Sequence, residues 1–156
     1  MIRRLHHDDP LSEDAPATLT AAQSHYLAHV LRLKPGDAFR VFNARDGEFE
    51  AALGAGKKSA EATVGRRLRA PFVAQGPDLV LVFAAVKRAA VETIVQKGTE
   101  LGVARFIPVF TERTQRERVN LERLAAIAVE AAEQCLRLDI PTIAPATPLP
   151  TVLGDW

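Results

Sequence analysis

The spacing of apolar positions along the chain changes near residue 79. Before it they occur in short alternating runs broken by turn residues; after it they form one unbroken run and then recur at helical intervals. In the first part, "LTAAQSHYLAHVLRL" predicts a helix. Thr20 is placed to cap it, Gln23 stands at the reciprocal capping-box position, and Leu27, Val30 and Leu31 share one face. "KPGD" at 34–37 predicts a turn. "AFRVFNARDGEFEAAL" alternates around Phe39 and Val41 with Asp46-Gly47 as a hairpin signal, and "SAEATVGRRLR" supplies another strand. The expected product is a β-rich module of about seventy residues with one helix, closed as a barrel or half-barrel.

Pro71, Gly76 and Pro77 mark 70–78 as a linker. "LVLVFAAV" at 79–86 then reads as a strand buried on both faces. "RAAVETIVQKGTELG" is a helix with Val91, Ile94 and Val95 on one side and Gly102 just past its end. Gly98 inside that helix is unfavourable by about 1 kcal/mol relative to alanine, which predicts close packing there. "ARFIPVFT" is the next strand, Asn120 caps a helix over 121–137, and "PTIAPA" begins a third strand. This order predicts an α/β unit on a parallel sheet with right-handed crossovers, the whole chain being α+β. Three short strands and two helices leave such a sheet incomplete, and "TVLGDW" adds no closing element. The expectation is a fragment of a longer polypeptide, or a sheet finished by a partner.

At 156 residues, with 47% hydrophobic and 25% charged residues, the chain can bury one or two real cores. The net charge of +1 does not by itself indicate nucleic acid, but its distribution is uneven. Lys57, Lys58, Arg66, Arg67 and Arg69 face a single acid, Glu61, within one short stretch, and Arg3, Arg4, His6 and His7 form a basic start. Such clusters suit a phosphate-binding surface or simply a solvated face. The single Cys135 excludes an internal disulfide and suits a reducing compartment. No apolar run is long enough to span a bilayer, and the N-terminus lacks a secretory core, so a cytoplasmic protein with no membrane partner is expected.

Ligands of open parallel sheets bind beyond the carboxyl ends of the strands. Lys87 follows the first strand of the second half and Thr111-Glu112-Arg113-Thr114 follows the next, so Lys87 and Arg113 are expected on one edge. An arginine there offers a planar fork for phosphate or a base edge; the plainer reading is a surface ion pair between Glu112 and Arg113. On the long helix, Glu130, Glu133, Gln134 and Arg137 share one face, opposite Leu124, Ile127, Ala128, Ala131 and Cys135. That stripe is either the solvent face or a surface reaching RNA or a second subunit. No dinucleotide, P-loop or zinc spacing occurs, and His25 and His29, four apart, are a weak metal signal.

Several stretches together carry a resemblance: "HYLAHVLRLKPGD", "VFNARDGEFEA", Lys87, "IVQKGTELGVARFIPVFTERT" and "EAAEQCLRLDIP". In these the chain resembles the bacterial 16S rRNA uridine methyltransferase E family of the knotted SPOUT methyltransferases. The resemblance implies a PUA-like RNA-binding barrel over 1–72 and the N-terminal part of a SPOUT domain over 77–156. It implies S-adenosylmethionine-dependent methylation of nitrogen-3 of a uridine in 16S rRNA of the small ribosomal subunit, by a homodimer. Carried over by motif, Arg3, Arg4, His25 and Arg32 belong to the RNA-binding surface, to which Lys34, Arg66, Arg67 and Lys87 are added. Arg113, Gln134 and Arg137 fall near the substrate and the dimer interface, and Glu133 is available as a base for the uracil N3 proton.

The family's Gly-Pro-Glu-Gly-Gly loop and its Leu-rich segment ending in Glu-Thr-Ala do not occur here. No cofactor-binding residue is therefore expected in this chain, the knot is expected to be absent, and the chain alone is expected to bind no S-adenosylmethionine and to be inactive. The competing expectations are a non-catalytic RNA-binding module whose α/β half serves dimerisation, and a small α/β ligand-binding domain without an RNA role.

Overall fold

The computed structural model describes residues 3–55, 61–74, 78–112, 119–154 and 156. The chain separates into two compact units, Met1–Val73 and Ala74–Trp156, each with its own hydrophobic cluster.

The first unit is a curled five-stranded sheet. Its strands are β1 (Arg4–His6), β2 (Pro16–Thr18), β3 (Ala38–Asn43), β4 (Gly47–Leu53) and β5 (Glu61–Arg69), arranged β1-β3-β4-β5-β2. β1 runs parallel to β3 and the remaining pairs are antiparallel. The alternation read from the sequence decides the faces: Phe39, Val41, Phe49, Ala51, Leu53, Ala62 and Val64 enter the core, which Leu5, Leu27 and Leu33 close. At the β3–β4 hairpin Gly47 has φ +102, and a Cβ there would stand 2.2 Å from the Arg69 carbonyl oxygen, so only glycine fits.

The predicted capping box is present. Thr20 accepts from Gln23 N–H at 3.2 Å and donates its own N–H to Gln23 Oε1 at 2.9 Å. The helix it starts, α1 (Ala21–His25), differs from the expectation. It widens at once into a π-helical turn, Tyr26–Val30, closed by Leu31 N–H on the Tyr26 carbonyl. Widening changes the spacing of the apolar face. Leu27 is wholly buried and Leu31 half-buried, whereas Val30, expected beside them, is 60% exposed.

The second unit holds β6 (Val80–Ala84), α2 (Arg88–Glu100), β7 (Arg105–Phe110), α3 (Leu121–Cys135), β8 (Thr142–Ile143), β9 (Thr147–Pro148) and α4 (Leu149–Gly154). All strand pairs are parallel, with β7 between β6 on one side and β8 and β9 on the other. Pro108 explains why that last position is split. The Phe106 carbonyl accepts from Ala144 N–H and the Val109 carbonyl from Ala85 N–H, so alternate residues of β7 address opposite neighbours. Pro108 therefore addresses the β8 and β9 side, where it has no N–H to give.

Three features depart from the sequence reading. β6 is half-buried along its length rather than enclosed on both faces. α3 stops at Cys135, because Leu136 turns left-handed with φ 64, so Arg137 lies beyond the helix. β9 and α4 are elements that the pattern did not predict. α2 and α3 pack through Val91, Val95, Leu124, Ile127 and Ala128 onto Phe106, with Leu81 and Phe83 against them.

Candidate functional site

The carboxyl edge of the second sheet is formed where β6 and β7 end. Lys87 is exposed at the start of α2, its carbonyl receiving the first helical bonds from Ala90 and Val91. Thr111 and Glu112 are exposed just beyond β7. Arg113 lies outside the described residues. Next to this edge, the starts of α2 and α3 enclose a cavity of about 730 Å³, lined by Val86, Val91, Asn120, Leu124 and four charged residues, Arg88, Glu92, Glu122 and Arg123. Three of them are linked: Arg88 Nε donates to Glu92 at 2.8 Å, and Arg123 Nη2 stands 3.5 Å from the other oxygen. The hydrogen bond from Arg88, opposed by desolvation and aided by Arg123, holds the Glu92 carboxyl below its usual range. With two guanidiniums and two carboxylates in its lining, the charge of this cavity selects neither an anion nor a cation.

Arg137 is at the opposite edge. Its Nη1 donates to the carbonyls of Thr99 at 2.8 Å and Val103 at 2.9 Å, and its Nε and Nη2 grip the Asp139 carboxylate. The guanidinium thus pins the end of α3 to the turn between α2 and β7. Gln134, exposed, donates to Glu130 at 3.4 Å, and Glu133 is half-buried beside it. Within one copy these residues are separated from Lys87 by the length of β7, roughly 20 Å for six residues. The sequence grouped them with Arg113 as one catalytic set; the topology puts the ends of α3 and β7 at opposite edges of the sheet.

In the first unit, sequence-predicted cations occupy two places. His25, Arg32 and Lys34 are exposed around the π-helical turn; the His25 and His29 rings lie 4.7 Å apart, and Arg32 has a left-handed φ of 54. Arg3, Arg66 and Arg67 are exposed on or beside the sheet; Arg66 pairs with Glu50 at 3.0 Å, and the Arg67 guanidinium lies over the Phe49 ring. Lys57 and Lys58 lie outside the described residues. Arg4 is a correction: it is 4% exposed, with its guanidinium on Glu48 and over the Phe42 ring, so it acts from inside.

Sequence reasoning missed the centre of this surface. Glu48 is buried and accepts from Arg4, Arg40 and Arg69. Burial raises its carboxyl, but the bonds from Arg4, Arg40 and Arg69 outweigh this and leave it below the usual range. The hairpin register was the available signal. With Asp46-Gly47 as the turn, Arg40 falls opposite Glu50 and Phe42 opposite Glu48 on one face.

Comparison with known proteins gives these units relatives. Residues 74–156, more than half of the chain, match a family described as an RNA methyltransferase domain, and residues 19–65 match an RNA methyltransferase PUA domain. The chain is 34% identical over 142 residues to ribosomal RNA small subunit methyltransferase E of Rickettsia conorii, covering 90% of this chain and 57% of that protein. It is 38% identical over 136 residues to the protein of the same name from Synechocystis, covering 84% and 43%. The chain thus spans about half the length of these curated relatives. Among solved structures, ribosomal RNA small subunit methyltransferase E from Neisseria gonorrhoeae, bound to S-adenosyl methionine, superposes with a TM-score of 0.83 at 23% identity, covering all of this chain and 66% of its own. A Legionella pneumophila methyltransferase in complex with the same cofactor gives 0.77 at 23% identity, covering 96% and 63%. The likeness to these structures concerns the fold: a curled N-terminal sheet followed by a parallel-stranded sheet. With its RNA methyltransferase domain matched over more than half its length, the chain belongs to the ribosomal RNA small subunit methyltransferase E family.

Proposed function

We propose that this chain is the RNA-binding unit and the first part of the catalytic unit of a methyltransferase that modifies nitrogen-3 of a uridine in 16S rRNA of the small ribosomal subunit. The observation that carries the reading is the RNA methyltransferase domain match over residues 74–156, on a parallel sheet that exposes Lys87, Thr111 and Glu112 at its ligand edge. S-adenosylmethionine is the methyl donor that membership of a methyltransferase family implies, and its sulfonium supplies the methyl group when bound. Lys87 at the described edge is assigned to the RNA substrate, because an exposed cation there suits a phosphate.

Nitrogen-3 of uracil lies on the Watson–Crick edge, so the target uridine must be unpaired and presented out of a stack. Its proton must leave before the nitrogen can accept a methyl group. Glu133 is the candidate base, with Gln134 and Arg137 beside it; Lys87, and Arg113 outside the described residues, are candidates for holding the RNA. Since the described residues of these two groups lie at opposite edges of one sheet, a site using both takes them from two copies. This supports a homodimer, working in the cytoplasm where ribosomal subunits are assembled.

The test uses the full-length protein containing this chain, S-adenosylmethionine carrying a labelled methyl group, and small ribosomal subunits. Digestion and mass spectrometry of the 16S rRNA are expected to show label in 3-methyluridine. Label in another nucleoside, or none, overturns the proposal. RNA binding without label would support the alternative of a non-catalytic RNA-binding module.

A further inference from the structure

The outer face of β3–β5 carries a charge arrangement that the methyl-transfer reading does not use. The Glu48 side chain is 1% exposed, yet three guanidiniums share its carboxylate: Arg4 and Arg40 at 3.1 Å on Oε1, and Arg69 at 3.2 Å on Oε2. The three are not equivalent. The Arg4 side chain is fully buried beneath Phe42, 4.0 Å from the ring centroid, whereas the Arg40 and Arg69 side chains are 35% and 46% exposed. Arg4 and Glu48 therefore form a fixed base, and the other two guanidiniums reach solvent from it. The only other carboxylate paired on this face, among the described residues, is Glu50, which Arg66 already holds. In these printed pairs four guanidiniums meet two carboxylates, and Arg40 also lines a groove of about 650 Å³ with Arg3, Thr63 and the acids Asp14 and Glu50.

We propose that Arg40 and Arg69, held on the single carboxylate of Glu48, form a two-pronged clamp for a phosphodiester of an RNA backbone. The proposal rests on the reading of the chain as part of an rRNA-modifying protein. Guanidiniums present planar forks of donors that match phosphate oxygens, and a side chain already fixed by an ion pair loses less freedom on binding than a lone surface arginine. Glu48 is a positioning residue: it sets the spacing of the prongs without touching the RNA. A phosphate there would meet the exposed guanidiniums of Arg40 and Arg69. The clamp reads backbone and not sequence, as expected of a surface that orients an RNA while another surface selects the base.

The experiment measures binding of the 156-residue chain to a short fluorescein-labelled RNA hairpin over a series of potassium chloride concentrations. Arg40→Gln and Arg69→Gln are each expected to weaken binding about tenfold and to reduce the slope of log affinity against log salt by about 0.7–0.9. Arg45→Gln, at the exposed hairpin turn, is expected to leave the slope unchanged. If wild type binds with a steep slope and both clamp variants keep it, the clamp is overturned while the RNA reading stands. If wild type prefers the hairpin no more than a polyglutamate peptide of equal charge, both fall. Should the glutamine variants fail to fold by circular dichroism, Arg40→Lys and Arg69→Lys retain charge without the fork. Each should keep the wild-type slope with several-fold weaker binding; wild-type affinity in both overturns the clamp.

Discussion

Gly98 lies against the ring of Phe106: a Cβ at position 98 would stand 2.6 Å from Cε1 and 2.7 Å from Cζ. The helix accepts its glycine because the fully buried ring of β7 needs that space. Gly98→Ala should destabilise the second unit by about 1–3 kcal/mol, overpacking outweighing the gain of roughly 1 kcal/mol in helix propensity. Urea unfolding measures the change. Adding Phe106→Leu should make the alanine nearly neutral, and a purely additive double mutant would disprove the contact as the cause.

Arg137 should behave as a structural tie. Arg137→Ala leaves the carbonyls of Thr99 and Val103 and the carboxylate of Asp139 without that partner, and is expected to cost about 2–3 kcal/mol. Arg137→Lys should recover little, since one ammonium cannot reach the two carbonyls and the carboxylate in the same geometry. Chemical denaturation of the three proteins decides this. Full stability in the lysine variant would mean that charge alone matters.

Acid should loosen the first unit through two carboxylates. The hydrogen bond from Arg45, against desolvation and aided by Leu11 N–H and Asn43, holds Asp46 at about 2 instead of 3.8, and Glu48 is also lowered. A depressed folded-state value means that the stabilisation is present above the unfolded value and is lost as pH falls through the folded one. Thermal melts should therefore show stability falling between pH 3.8 and about 2, and Asp46→Asn should flatten that limb while lowering stability at neutral pH. An unchanged acid limb in the variant would remove Asp46 from the account.

The π-helical turn makes a prediction opposite to the simple helical pattern. Leu27→Ala should cost about 2–5 kcal/mol, as a buried leucine does, whereas Val30→Glu should stay within about 0.5 kcal/mol. A regular α-helix would bury both side chains and make the glutamate strongly destabilising. Thermal unfolding of the two variants distinguishes the cases.

Much of the architecture was legible because it depends on local rules. The capping box at Thr20, the hairpin at Asp46-Gly47, the helix ending before Gly102 and the Asn120 cap each satisfy backbone groups within a few residues. Gly98 was legible in a different way, as a local misfit that required a neighbour. The exposed Val30 was hidden because an inserted π turn has no strong sequence signal. The split between β8 and β9 was hidden too: Pro108 announces a missing donor, but not which side of the strand lacks it. The site was the least legible part. Arg4 was read as a surface cation because it sits in a basic N-terminus, Arg69 was read only as part of a basic cluster, and Arg40 was passed over because it is a lone charge in a strand.

The sequence by itself determined the two-part α+β architecture, the parallel order of the second sheet, and the family to which the motifs pointed. These follow from hydrophobic period, turn chemistry and short motifs, which are properties of neighbouring residues. Only the tertiary structure decided that Arg4, Arg40 and Arg69 meet on one buried Glu48, and that Arg137 ties down the edge opposite Lys87. Both depend on strand register and on where helices end, so they bring together side chains far apart in the chain, and charge and burial then act on the assembled group rather than on any residue alone.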